Sequence, residues 1–426
     1  MLGIGPDGPV GGDRGMRSPE DGTAAEGPLD RPVRQSDPGP GVPGREAERA
    51  AWVALASVEG LGPVGLGSLL RRFGDGRSIL AAAATADGRA RIAEREGTGR
   101  GIDPAVVDRI AEAAAGGQAL MERVRELGLS VVTLEDAAYP DRLLELELPP
   151  HLLFVRGDPA TLSRPHAVAV VGTRRATEYG RRTAARIGVA IADTGATVVS
   201  GLAVGIDGAA HAATVAAGGS TVAVLGSGHA RLTPRAHERL AATIVDGGGC
   251  VASEIAPDVG PGPGSFPRRN RLISGLADAT IVVEAPTRSG ALITASWALE
   301  QGRECYLVPG SIGAPMSAGC LAFLREHTGL ARIVADVPTL IEDLGLLGIA
   351  ETGPKTRIEV GLGPVERRIV GTLGRGAATV DELVAAVGEP VATVLGGITL
   401  LELRGVVAGA YGRYRLSGRL TGREVA

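Results

Sequence analysis

Lysine is almost missing from this 426-residue chain: Lys355 stands alone, and the other 43 of its 44 positive charges are arginine. A P-loop needs a lysine behind a glycine-rich turn, and Lys355 has no such frame, so Walker-type nucleotide chemistry is excluded. Cysteine is nearly as scarce. Cys250, Cys305 and Cys320 form no C-x-x-C pair, which excludes a disulfide scaffold or zinc ribbon and suits a reducing cytoplasm. Aromatic residues make up 3% of the chain, so each one beside a polar cluster carries weight. No run of 18 apolar residues exists to cross a membrane. Residues Met1 to Gly12 lack the basic and apolar regions of a secretory signal. Neither a G-x-S-x-G elbow nor an H-E-x-x-H pair is present. The net charge of −4 excludes a globally basic coat but leaves room for a local basic groove.

What is abundant is glycine, alanine and leucine, distributed unevenly. Residues 1–45 hold 11 Gly and 8 Pro without periodicity and read as a disordered tail, with Met16 an alternative start inside it. Residues 46–130 carry Ala, Leu and Arg at helical spacing and predict a helical domain. Its segment Val58-Glu59-Gly60-Leu61-Gly62-Pro63-Val64-Gly65 has the form of a helix-hairpin-helix (SAM-like) turn. No basic residue adjoins the turn in sequence, which favours a protein-contact module over a DNA contact. An extended connector follows, from Tyr139-Pro140 to Pro149-Pro150 and a short apolar strand.

Within residues 131–345, short apolar runs alternate with helix-length segments: Val168–Val171, Thr197–Ser200, Val222–Leu225, Cys250–Ser253, Thr280–Val283 and Cys305–Val308. The pattern predicts an α/β domain with a mostly parallel sheet covered on both faces. Residues 346–362 read as a linker. Residues 363–418 predict three helices and a β-hairpin, a winged-helix domain in which Thr379 and Glu382 have capping-box spacing. Residues 419–426 form a tail.

In such a sheet ligands gather beyond the carboxyl ends of the strands. There the chain places Gly172-Thr173-Arg174-Arg175, Ser200-Gly201-Leu202-Ala203-Val204-Gly205-Ile206-Asp207, Gly226-Ser227-Gly228, Phe266-Pro267-Arg268-Arg269-Asn270-Arg271 and Glu284 to Thr294. Glycines and helix starts bring backbone N–H groups toward an anion. Three arginines in four residues beside a phenylalanine suit a strand whose bases stack while its phosphates pair. Ser289-Gly290 open another helix at the same edge. Asp207 and His211, four apart, read as a structural pair, and Glu284 as an orienter of arginine side chains. No metal-ligand set emerges.

Taken together these motifs resemble the DNA-processing protein A (DprA/Smf) family, matched in order by Val168–Gly180, Ser200–His211, Thr221–Gly228, Phe266–Leu276, Val282–Thr294 and Gly302–Gly310. The resemblance implies an extended Rossmann-like core that binds single-stranded DNA, a homodimer, and a cytoplasmic recombination mediator that loads RecA onto strands entering by natural transformation. A single-strand-binding protein is a further candidate partner; no cofactor, metal or catalytic residue is implied. Carried over by motif, the DNA-binding residues are Arg174, Ser200, Gly201, Phe266, Arg269, Asn270 and Arg271, joined by Arg268, Ser289 and Gly290. Two segments depart from the family pattern. Ala230, Thr233, Pro234 and His237 stand where D-x-x-Y-P-x-x-N is usual, and Gly319-Cys320-Leu321 replaces a G-x-N-x-L-I start.

Three functions follow as expectations. The first is a non-enzymatic single-strand binder, in which replacing Arg269 or Phe266 by alanine weakens binding and leaves the fold intact. The second is a Rossmann-like nucleotide or nucleoside hydrolase with Glu284 or Asp207 as base. The third makes the winged helix the DNA reader through Arg404, Arg413 and Arg415, an auxiliary role at most, since residues 363–418 hold six Arg against five acidic residues.

Overall fold

The computed structural model describes residues 43–94, 101–262, 264–347, 362–374, 378–403, 406–410 and 413–416. Residues 1–42, most of the expected linker and the 419–426 tail lie outside the described residues. Pro43 to Arg45, assigned to the tail by composition, form the first turn of a helix.

Five helices come first: α1 (Pro43–Ala56), α2 (Pro63–Phe73), α3 (Gly76–Ala83), α4 (Ala86–Ala93) and α5 (Pro104–Glu126). Their starts are written locally. The side chains of Asp75, Thr85 and Asp103 accept from the free N–H groups of Ser78, Gly88 and Ala105, and proline opens α2 and α5. Trp52, Leu55, Leu69, Ile79, Ile92 and Ile110 fill the bundle core, which continues onto Leu152, Phe154 and Ala256. A basic residue does adjoin the α1–α2 turn, contrary to the sequence reading. Arg109, fifty residues away on α5, donates its Nε–H to the Glu59 carbonyl at 2.9 Å.

The central sheet has nine strands: β1 (Ser130–Thr133), β2 (Leu152–Gly157), β3 (Ala167–Val171), β4 (Thr197–Ser200), β5 (Thr221–Val224), β6 (Cys250–Ser253), β7 (Ala279–Val282), β8 (Glu304–Leu307) and β9 (Ala331–Ile333). Their spatial order is β1-β2-β6-β5-β4-β3-β7-β8-β9. The strands from β6 to β9 in that order pair in parallel, and β1 and β2 add an antiparallel edge. Between them lie α6 (Asp141–Leu144), α7 (Glu178–Asp193), α8 (Ile206–Ala216), α9 (Glu238–Asp246), α10 (Ser265–Gly275), α11 (Gly290–Glu300), α12 (Ala318–Glu326) and α13 (Val337–Asp343).

Both faces are buried, as the uniformly apolar strands require. Along β3, Ala167, Ala169 and Val171 enter one core while Val168 and Val170 enter the other. The chain winds outward from β3 through β4, β5 and β6, then returns to place β7 on the other side of β3. The topological switch therefore falls between β3 and β7, where the loops part and a crevice opens.

The last elements are α14 (Pro364–Leu373), β10 (Ala378–Thr379), α15 (Val380–Val387), α16 (Val391–Leu403), β11 (Val407–Ala410) and β12 (Arg413–Leu416). Three helices with a small antiparallel sheet of order β10-β12-β11 make the winged helix. The capping box is present: Glu382 N–H donates to Thr379 Oγ1 and Thr379 N–H to Glu382 Oε2.

His211 on α8 is fully buried, its Nδ1 at 2.7 Å from Thr221 Oγ1. Desolvation, with the positive fields of His237 and Arg269, pushes its pKa down to about 3. An unfolded chain takes up this proton near pH 6.5, whereas the folded chain resists until about pH 3. Stability is therefore lost as pH falls through that window, by up to about 1.4 kcal/mol per pH unit for this one group. Urea unfolding of the α/β domain at pH 7, 6 and 5 should show this loss, and His211→Asn should reduce the slope by about one proton. An unchanged slope in the variant would refute the assignment.

Candidate functional site

A cleft of about 510 Å³ opens at the switch point. Its walls are the β3–α7 loop (Val171 to Arg175), Ala203 and Asp207 at the start of α8, the first turns of α10, and the β7–α11 segment from Pro286 to Thr294. The walls from β3, β4 and β7 start where those strands end, so the sheet sets their spacing.

The deepest polar group is Arg269. Its guanidinium is buried and donates to the carbonyls of Gly201 (2.7 Å) and Val224, tying the ends of β4 and β5 to α10. Asp207, also buried, accepts from the N–H groups of Gly201 (3.1 Å) and Ala203 (3.4 Å). Burial pushes the Asp207 carboxyl up and the Arg269 guanidinium down to about 10, while the opposite charge of each draws the other back.

Over this floor lies a layer open to solvent. The Arg174 guanidinium sits 5.0 Å above the Phe266 ring. That ring rests on Gly226, where an added Cβ would stand 2.7 Å from Phe266 Cδ1, so the Gly-Ser-Gly after β5 is a seat for the aromatic. Arg175 and Arg288 are exposed, and no described residue holds their guanidinium groups. Ser289 caps α11 by accepting from Ala291 N–H, and Gly290 begins that helix, so the positive end of its dipole faces the cleft. Asp207 is the one carboxylate among the described lining residues, and it faces Arg269. The open layer is therefore positive.

The residues named from sequence divide. Arg174, Phe266, Asn270, Ser289 and Gly290 line the cleft, and Asn270 Nδ2–H donates to the Gly290 carbonyl at 3.0 Å. Gly201 and Arg269 form its floor. Ser200 is fully buried and donates to the Val170 carbonyl at 2.6 Å, so its hydroxyl does not reach the cleft. Arg271 and Arg268 turn away to Glu254, at 2.7 and 3.5 Å, and Arg271 also donates to the Leu148 carbonyl. Glu284 orients no arginine. It accepts from Thr177 N–H (2.9 Å) and Thr177 Oγ1–H (2.5 Å), fixing the start of α7. Arg175 and Arg288 were inside the quoted motifs without being singled out. Their signal was position: each lies in a loop directly after a central strand. Among the described residues no cluster of His, Cys, Asp and Glu could hold a metal ion.

A doubly wound α/β domain with a cationic crevice at its switch point, preceded in the chain by a helical bundle and followed by a winged helix, defines a Rossmann-like protein of composite build. Comparison with known proteins gives the family. The family model described as DNA recombination-mediator protein A matches residues 130–345, and that of the DprA winged helix domain matches residues 353–413. The chain is 40% identical over 280 residues to a DNA processing protein DprA of Mycobacterium tuberculosis, covering 65% of this chain and 71% of that protein. It is 30% identical over 396 residues to Protein Smf of Synechocystis, covering 85% of this chain and 97% of that one. The X-ray structure of DNA processing protein A from Streptococcus pneumoniae superposes with a TM-score of 0.56 at 31% identity, covering 68% of this chain and 95% of that one. The chain belongs to the DprA/Smf family of DNA processing proteins.

The floor and the open layer respond differently to substitution. Arg269→Ala leaves Asp207 buried without its counter-charge and two carbonyls unpaired, so stability should fall by about 3 kcal/mol or more, contrary to the sequence expectation of an intact fold. Arg288→Ala should change stability by no more than about 0.5 kcal/mol. Paired denaturant titrations test this; equal stability of the two variants would overturn the division.

Proposed function

We propose that the cleft binds single-stranded DNA and that the protein acts as a recombination mediator, loading RecA onto strands taken up in transformation. The observation that carries the DNA reading is the open layer: Arg174 stacked on Phe266, flanked by Arg175 and Arg288, whose guanidinium groups no described residue pairs. Guanidinium groups meet phosphates, and a guanidinium plane held on an aromatic ring gives an unstacked base a platform to stack on. Membership of the DprA/Smf family supports the RecA-loading, homodimeric and cytoplasmic parts of the reading. Among the described residues no single helix is long and apolar enough to cross a membrane.

The hydrolase reading loses ground because its two candidate bases are engaged: Glu284 by Thr177, and Asp207 by two backbone N–H groups beside Arg269. The winged helix is a weaker reader. Its third helix, α16, carries Glu402 and no cation, and exposes Val391, Leu395, Leu400 and Leu403. The side chains of Arg404, Arg413 and Arg415 lie outside the described set.

Fluorescence anisotropy of labelled poly-dT should show binding that a duplex competes poorly and that weakens steeply with salt. Arg174→Ala, Arg175→Ala and Arg288→Ala should each weaken it, and each should flatten the log–log salt slope by about 0.7. Binding with no salt dependence, or unmoved by all three, would refute the proposal.

A further inference from the structure

The loop after β4 contains the one described non-glycine residue with positive φ: Leu202, at φ 56°. A leucine there is strained, and such a conformation persists only where its surroundings hold it. The Leu202 side chain is held by burial against Ala223, Leu225, Ala241 and Ile244. Its backbone is held by a residue from another segment. His237, immediately before α9, places its Nδ1 at 2.9 Å from the Leu202 carbonyl. A carbonyl only accepts, so Nδ1 carries the proton. The same ring lies over the first turn of α8, where a Cβ on Gly208 would stand 2.5 Å from His237 Cε1.

The turn at Leu202 aims its neighbours. It directs the Gly201 carbonyl at Arg269 and the N–H groups of Gly201 and Ala203 at Asp207. Arg269 in turn fixes the helical turn that presents Phe266 to Arg174.

We propose that His237 is a positioning residue for the cleft: its Nδ1–H clamps the strained Leu202 turn and so sets the Arg269 floor beneath the Phe266–Arg174 layer. What the position requires is an N–H donor one bond beyond Cγ. Asparagine supplies one at the same distance from the backbone, through Nδ2. Glutamine places its donor one bond further out, and alanine has none. The bare helix surface at Gly208 accommodates the imidazole ring.

The inference rests on the DNA-binding reading for its effect on binding, but its structural part can be read without DNA. The experiment compares the full chain with His237→Ala, His237→Gln and His237→Asn. Hydrogen–deuterium exchange of the 201–208 segment, free of DNA, should be faster in the alanine and glutamine variants and close to the parent in His237→Asn. Poly-dT affinity should fall about tenfold in His237→Ala and return with His237→Asn, the size expected from one lost part-buried hydrogen bond. Thermal melting confirms that the variants compared are folded. Parent-like exchange in His237→Ala, or failure of a folded His237→Asn to restore it, would overturn the positioning role. If the parent itself fails to bind poly-dT while exchange follows the donor, the DNA reading falls and the clamp stands.

Discussion

The site depends on one buried guanidinium. Arg269 ties α10 to groups 45 to 68 residues away in sequence: it bonds the carbonyl just past β4 and the carbonyl ending β5, and faces the carboxylate opening α8. A cation so placed is stable only because its charge is answered and its donors are directed at carbonyls; alone, its desolvation would cost several kcal/mol. Once it is seated, the rest of the cleft has little freedom. The turn carrying Phe266 and Asn270 is fixed against the sheet edge, and Asn270 closes the remaining gap by donating to Gly290 at the start of α11.

The arginine-rich stretch shows how far a motif can be read without its backbone. Phe266-Pro267-Arg268-Arg269-Asn270-Arg271 was legible as the most informative segment, and it does form a wall of the cleft. Taken as a loop, it offered every side chain to the ligand. It is instead the beginning of α10, and helical periodicity sorts the residues by face. Phe266, Arg269, Asn270 and Ile273 point one way; Arg268 and Arg271, three apart, point the other and share Glu254. Glu254 follows directly on β6, so it and the arginines it holds meet only in three dimensions.

Other features were local and therefore visible. The six strands β3 to β8 needed no more than uniform apolarity between glycine-bounded turns, and the capping box needed four residues. The edge strands β1 and β9 escaped because an edge is half-exposed and loses that uniformity. Arg109 at the α1–α2 turn escaped because fifty residues separate it from its carbonyl. Arg175 and Arg288 escaped for the opposite reason: exposed and unpaired, they look like any solvated charge until the switch point shows that both face one crevice.

The division between engaged and open groups bears on what the cleft can distinguish. Several polar groups suited to reading a base edge are bonded within the protein. Asn270 donates to Gly290, Ser289 caps α11, Ser200 is buried against Val170, and Thr173 Oγ1 accepts from Arg175 N–H. What remains open is charge: Arg174, stacked on Phe266, with Arg175 and Arg288 beside it. Charge recognises a backbone common to all sequences, and a ring stacks on any base. On the proposed reading, the Arg174–Phe266 stack meets base faces that a duplex hides, and the cleft carries little means of discriminating by sequence.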